Sequence, residues 1–311
     1  MSGIESFNPV TPQGLSIANL FLGVMVLSAL IFLLVAGLLT YILMRYRGRP
    51  GDPDPPPVHG NRNLEIAWTV APALILVALF ILTLRTMNTV NATVPEALRI
   101  RVIGHQWWWE FHYPDRDVVT ANEMHVPVGA PVLLEVEAAD VIHSFWVPKL
   151  GWKKDAVPGR TNPMSVQFDQ AGVYDGPCTE YCGLQHAWMR IRVVAEAPDQ
   201  FEAWIEQQRR PAPERPASDR ALRGQKLFLR NTCVNCHAVR GTAAAARIGP
   251  DLTHFGGRST LGAGVALNTP ENLRRWVRGV QGVKPGALMP NYAELPDDDL
   301  AALVEYLGGL K

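Results

Sequence analysis

Hydrophobic residues fall along this 311-residue chain in three distinct patterns. Residues 17–44 run without a single charge, and so do residues 66–84, the second run bounded by Glu65 and Arg85. Both suit the roughly 20 apolar residues that cross a bilayer as a helix. The stretch between them, RYRGRPGDPDPPPVHGNRN, is dense in Pro and Gly and breaks any continuous helix. A membrane hairpin is therefore predicted within residues 1–90, with helices over about 15–44 and 64–86. From 91 to 197 the pattern changes to short alternating stretches: LRIRVIGHQWWWEFHY, APVLLEVEA, HSFWVP, MSVQFD and MRIRVVAE. Turn signals at Pro114-Asp115, Pro127-Val128-Gly129 and Pro158-Gly159 separate them. This predicts an antiparallel β-sandwich or barrel of about 100 residues.

Residues 198–217 read as a linker. Its first half can form a short helix, and RRPAPERPAS is a Pro-rich, extended spacer. Such a spacer tethers two domains and leaves them free to move. From 218 to 311 the period turns helical, with Ser218 as one N-cap and Thr269-Pro270 opening a later helix. LPDDDLAALVEYLGGL closes the chain, completing an all-α unit of about 90 residues. The whole reads as a multidomain membrane protein without internal repeats.

Composition supports the membrane assignment, with 48% hydrophobic and only 19% charged residues. Charge adds orientation. Arg45, Arg47, Arg49 and Arg62 lie in or beside the connecting loop, whereas the first sixteen residues hold no Lys or Arg. The positive-inside rule puts that loop in the cytoplasm and both termini outside. The first run is too long for a signal-peptide core and lacks a basic start, so it reads as a retained helix. The zero net charge conceals two opposed parts. Residues 91–196 hold nine Lys or Arg against thirteen Asp or Glu; residues 218–311 hold twelve against eight. Complementary charge steers encounter, so a basic C-terminal unit docking on an acidic β unit is expected.

The chemistry concentrates in CTEYCGLQHAWM, residues 178–189, which brings together Cys178, Glu180, Cys182, His186 and Met189. His143 offers a second imidazole upstream. Thiolate, imidazole and thioether together favour copper. A Cys178–Cys182 disulfide would leave His186 and Met189 without a purpose, and zinc gains nothing from a thioether. The remaining two cysteines sit in CVNCH, the C-x-x-C-H pattern for covalent haem c attachment. Cys233 and Cys236 would form the thioethers and His237 the proximal iron ligand. Met289, before Pro290, is the candidate opposite ligand; His254 is its rival but reads better as a solvated or haem-edge residue.

His143, Cys178, Glu180, Cys182, His186 and Met189 resemble, position for position, the binuclear copper (CuA) site of cytochrome c oxidase subunit 2. The resemblance covers about residues 15–311 and implies a two-helix transmembrane hairpin, an all-β cupredoxin-like barrel and an all-α class I cytochrome c domain. It implies two coppers bridged by Cys178 and Cys182 and completed by His143, His186, Met189 and the Glu180 carbonyl. It picks Met289 as the haem ligand. It also makes the Glu180 carboxylate a ligand to a magnesium ion shared with subunit 1, and gives Trp107 in GHQWWWEF the role of electron entry to copper. The plainer readings are a solvated loop for Glu180 and core packing for one or two of the three indoles. In the family the middle aromatic is more often Tyr, where this chain has Trp108. Glu65 matches a glutamate at a proton-pathway mouth or, equally, favours a helix N-terminus electrostatically. Asp155 and Arg160 match a segment facing subunit 1. His59, His105, His112 and His125 are assigned surface or sheet positions without function.

The function implied is electron transfer from haem c through CuA to the haem–copper site of subunit 1, where oxygen is reduced to water and protons are pumped. Implied partners are subunit 1, subunit 3, membrane lipids, and a cytochrome c or quinol:cytochrome c reductase as donor, with no nucleic acid. The implied location is the bacterial inner membrane, with both metal domains outside. A copper-containing nitric oxide reductase subunit and a stand-alone membrane electron carrier remain alternatives. A copper-delivery protein needs no haem, and CVNCH argues against it.

Overall fold

The computed structural model of the chain describes residues 7–48, 50–53, 57, 59–92 and 96–311; Arg49 of the cationic loop lies outside the described residues. Two compact units emerge, one of residues 13–92 and the other of residues 1–12 with 93–311.

The smaller unit holds α1 (Pro12–Arg45) and α2 (Arg62–Val90), both long and apolar enough to cross a membrane. Their apolar side chains are largely exposed, Phe32 by 70% and Leu74 by 65%. Helices hydrophobic all round belong among lipid or partner helices. Asn61 caps α2, its side chain accepting from the backbone N–H of Asn63 and Leu64. Glu65 lies in the first turn, where its charge complements the helix dipole.

The larger unit begins with ten strands: β1 (Leu98–His105), β2 (Trp108–Tyr113), β3 (Val118–Ala121), β4 (Glu123–Pro127), β5 (Pro131–Ala138), β6 (His143–Trp146), β7 (Lys153–Ala156), β8 (Asn162–Gln167), β9 (Gly172–Pro177) and β10 (Arg190–Glu196). They form a five-stranded sheet ordered β3-β2-β1-β5-β8, a three-stranded sheet β4-β10-β9, and the pair β6-β7. Alternation decides which face each residue takes. In β5, Val132, Leu134, Val136 and Ala138 are buried while their neighbours are half-exposed. The same holds for Ile191, Val193 and Ala195 in β10. Trp109, Phe111, Phe145, Met124 and Phe168 fill the space between the sheets.

The pairing corrects the antiparallel expectation. β1 pairs with β5 and β4 with β10 in parallel. In each case the intervening strands carry the chain across to another part of the structure before it returns in the same direction. Residues 198–209 form α3 (Pro198–Arg209), whose Phe201 and Ile205 join the β core. Trp204 packs on Tyr113, whose hydroxyl donates to the His125 carbonyl and accepts from its N–H.

The helical part comprises α4 (Asp219–Arg230), the short hairpin β11 (Thr260–Leu261) and β12 (Ala266–Leu267), α5 (Pro270–Arg278), α6 (Val280–Val283) and α7 (Asp297–Gly308). Ser218 caps α4 by accepting from the Ala221 N–H, and Thr269 caps α5 by accepting from the Asn272 N–H. α4 and α7 cross closely: a Cβ on Gly224 would lie 2.0 Å from the Ala302 carbonyl oxygen.

The freely moving tether is not what forms. Ala212 is buried in the helical core, its N–H donating to the Arg240 carbonyl. His254 is not solvated; it is buried, and its Nε2 meets the Arg210 carbonyl at 3.0 Å. The β and helical parts also bond directly. Glu123, 5% exposed, accepts from the backbone N–H and hydroxyl groups of Ser259 and Thr260. Among the described residues no ion pair within 4 Å joins the two parts. Their contact rests on hydrogen bonds to neutral groups, which overall charge counts cannot reveal.

Candidate metal centre and haem cavity

The loop between β9 and β10 folds back over β6 and carries five of the six expected copper donors. The sixth, His143, opens β6. Cys178 Sγ lies 3.9 Å from Cys182 Sγ and 3.3 Å from the Glu180 carbonyl oxygen. Cys182 Sγ lies 3.6 Å from His186 Nδ1 and 3.8 Å from Met189 Sδ. Ligand atoms of His143, Cys178 and Cys182 fall within 4.8 Å of one another. All four cysteines are free, and the sulfur separation is far beyond the roughly 2 Å of a disulfide.

The buried donors fit a soft metal. His143 is fully buried; its Nε2 meets Asp140 Oδ1 at 2.8 Å, while among the described residues its Nδ1 has no hydrogen-bond partner. A buried polar atom left unpaired is costly, and a ligated metal would relieve it. Asp140 stands where an outer carboxylate would fix a ligating imidazole. Burial alone would lower the His143 pKa, but Asp140 and the Cys178 sulfur hold it above its ordinary value. The contact between the two thiols holds Cys178 well below its ordinary value against the cost of burial, and the same contact together with burial pushes Cys182 above its own. The pair gives up its first proton readily and its second only with difficulty, so a cation is needed to hold both as thiolates. Gly104 makes room for this arrangement, since a Cβ there would lie 2.7 Å from His143 Cδ2.

The two ends of Glu180 face different ways. Its carbonyl faces the thiols, while its carboxylate is 46% exposed and 4.0 Å from Lys153 Nζ. The indole run separates three ways. Trp109 is fully buried, edge-on to His143 and Phe145. Trp108 stacks on His105 at 4.2 Å. Trp107 lies in the turn between β1 and β2 rather than on a strand, and its Nε1 donates to the Cys182 carbonyl at 2.8 Å. Gln106 donates to the same oxygen.

On the far side of Trp107 lies a cavity of about 360 Å³. Cys233, Cys236, His237 and Met289 line it, as do Trp107 and Trp108. His237 Nδ1 meets the Pro250 carbonyl at 2.7 Å, which leaves Nε2 as the free ring nitrogen. Burial lowers its pKa, so the ring stays a neutral donor. Gly249 permits the ring's position, since a Cβ would lie 2.8 Å from His237 Cε1. Gln281 holds the Met289 loop by donating to the carbonyls of Ala287 and Met289. Arg258 also lines the cavity, and its buried Nε has no partner, so a propionate would fit beside it. These features suit a c-type haem.

Sequence reasoning missed Asp140, Gln281, Arg258, Glu123 and Lys284. A carboxylate three residues before a ligand His was a readable signal for Asp140. Nothing local marks Lys284, because its partners lie far away in the chain. The proton-pathway role expected of Glu65 finds no test within the small unit, where the side chain serves the first turn of α2.

The family described as "Cytochrome C oxidase subunit II, transmembrane domain" matches residues 5–86, "Cytochrome C oxidase subunit II, periplasmic domain" matches 116–196, and "Cytochrome c" matches 221–311. Cytochrome c oxidase subunit 2 of Alkalihalophilus pseudofirmus is 40% identical over 99% of this chain and 91% of its own length. The Bacillus subtilis protein of that name is 36% identical over 87% of this chain and 82% of its own. Among solved structures, the periplasmic domain of subunit II of the Bradyrhizobium japonicum cytochrome oxidase is 35% identical, covering 37% of this chain and 96% of that one at a TM-score of 0.36. With relatives matched across nearly its whole length, the chain belongs to the cytochrome c oxidase subunit 2 family, in a form that continues into a cytochrome c domain, and it serves as part of an oxidoreductase.

Proposed function

We propose that this chain carries electrons from a covalently attached haem c to a binuclear copper centre and on to subunit 1 of a bacterial oxygen-reducing, proton-pumping oxidase. The observation that carries this reading is the place of Trp107. It lines the cavity that Cys233 and Cys236 also line, and it hydrogen-bonds to the carbonyl of Cys182.

The residues divide the work. Cys178 and Cys182 would bridge the coppers, with His143, His186, Met189 and the Glu180 carbonyl completing the shell. Cys233 and Cys236 would anchor the porphyrin between His237 and Met289. When bound, both groups take up and release single electrons. The rigid β frame keeps the copper ligands in one geometry through that cycle, so little rearrangement accompanies each transfer. The fused domain would take the place of an external cytochrome c beside Trp107, which lines its cavity. The donor, a cytochrome c or a quinol:cytochrome c reductase, then delivers to the haem. The Glu180 carboxylate would contribute to a magnesium site at the subunit 1 boundary, and subunit 3 would complete the assembly. Both metal domains would face the outside, with the Arg-rich loop inside.

Cys182→Ser in the intact complex tests this. The expected result is loss of the near-infrared copper band and of donor-driven oxygen uptake, while the covalent haem stays bound and reducible. Undiminished oxygen uptake without that band would overturn the proposal.

A further inference from the structure

We propose that Lys284 is the positioning residue for the step between the two centres: its side chain clamps the copper-side indoles against the haem cavity. The inference rests on the haem-to-copper route above. Lys284 follows α6, lines the cavity, and is only 3% exposed. Its Nζ donates to the Trp107 carbonyl at 2.7 Å and to the Trp188 and Gly262 carbonyls at 2.8 Å each. Burial brings the pKa of the amine down to about 7, yet an ammonium has three N–H donors and a neutral amine two, so the three acceptors favour the charged form.

The identity of those acceptors gives the clamp its meaning. Trp107 supplies the indole that reaches the Cys182 carbonyl. Trp188 immediately precedes Met189, the thioether donor of the copper loop. Gly262 belongs to the haem side, in the hairpin between β11 and β12. One side chain from the haem part therefore fixes two segments of the copper part. Among the described residues no carboxylate pairs with it within 4 Å. A buried cation without a counter-ion is costly, and an apolar side chain could fill the space without that cost. What Lys284 alone supplies is the three-way bond. Electron transfer falls steeply with separation, so loosening this contact should slow the step without removing either centre.

The test uses the intact oxidase with Lys284→Met, Lys284→Gln and Lys284→Arg. After rapid reduction of the haem, its oxidation and the reduction of copper are followed together at their own bands. Hydrogen exchange at residues 105–109 provides a readout that needs no electron flow. In Lys284→Met, static spectra should be retained, the transfer rate should fall about tenfold or more, and exchange at residues 105–109 should accelerate. Gln, with two N–H donors, should fall between, and Arg should recover most of the rate. A wild-type rate in Lys284→Met overturns the assignment; if that variant fails to assemble, a wild-type rate in Lys284→Gln does so. In the wild type, copper reduction unmatched by haem oxidation would instead overturn the route itself.

Discussion

Cys178, Cys182, His143, His186 and Met189 are individually ordinary, and their meaning lies in proximity: Cys182 Sγ lies 3.6 to 3.9 Å from Cys178, His186 and Met189, and His143 lies within 4.8 Å of both thiols. Met189→Leu separates packing from ligation: volume is nearly kept, so folding should cost less than about 1.5 kcal/mol. The near-infrared copper band should shift or weaken, and an unchanged band would remove Met189 from the donor set. Gly104→Ala pushes on His143 from behind and should cost about 1–3 kcal/mol by overpacking. Copper content should fall with it, as metal analysis would detect. Glu110 sets an acid-side stability. Burial would raise its carboxyl, but hydrogen bonds from His105 and His112 hold it at about 2, against an ordinary 4.5. A depressed carboxylate stabilises the fold above its unfolded pKa and loses that contribution as pH falls through the folded one. About 3 kcal/mol should therefore disappear between pH 4.5 and about 2. Glu110→Gln should flatten that part of the melting-temperature profile. His105 and His112 thus have a structural task that the sequence reading did not give them.

Elements were legible wherever one local signal decided them. The two uncharged runs became α1 and α2, and the caps at Ser218 and Thr269 start helices where their side chains say they should. Ser218→Ala should cost about 1 kcal/mol, read as a lower melting temperature of the haem domain. An unchanged value would mean the cap bond contributes nothing. Elements whose form depends on distant partners were not legible. Trp107 belongs to a turn because the β1–β2 reversal falls there, which three consecutive indoles do not announce. The parallel pairing of β1 with β5 follows from topology rather than from alternation. The donor set itself was readable, since its residue types are distinctive and mostly close in sequence. The surroundings that orient it were less so, because Asp140, Gln281 and Lys284 act through geometry alone.

At the scale of the molecule, the opposed charges of the two metal-bearing parts suggested docking by attraction, with a flexible spacer between. The contact that forms relies instead on buried hydrogen bonds at Glu123 and Lys284. Screening acts mainly on exposed charges. The haem-to-copper rate should therefore change by less than about twofold between low and high salt. A steep salt dependence would show that the parts separate and meet again in each cycle. The central claim, that one polypeptide passes electrons internally from a haem to copper, is tested most directly by injecting a single electron into the haem of the oxygen-free complex. Decay of the reduced-haem band should coincide, with one rate constant and no dependence on protein concentration, with bleaching of the near-infrared copper band. Haem that stays reduced while copper is filled from elsewhere would contradict it.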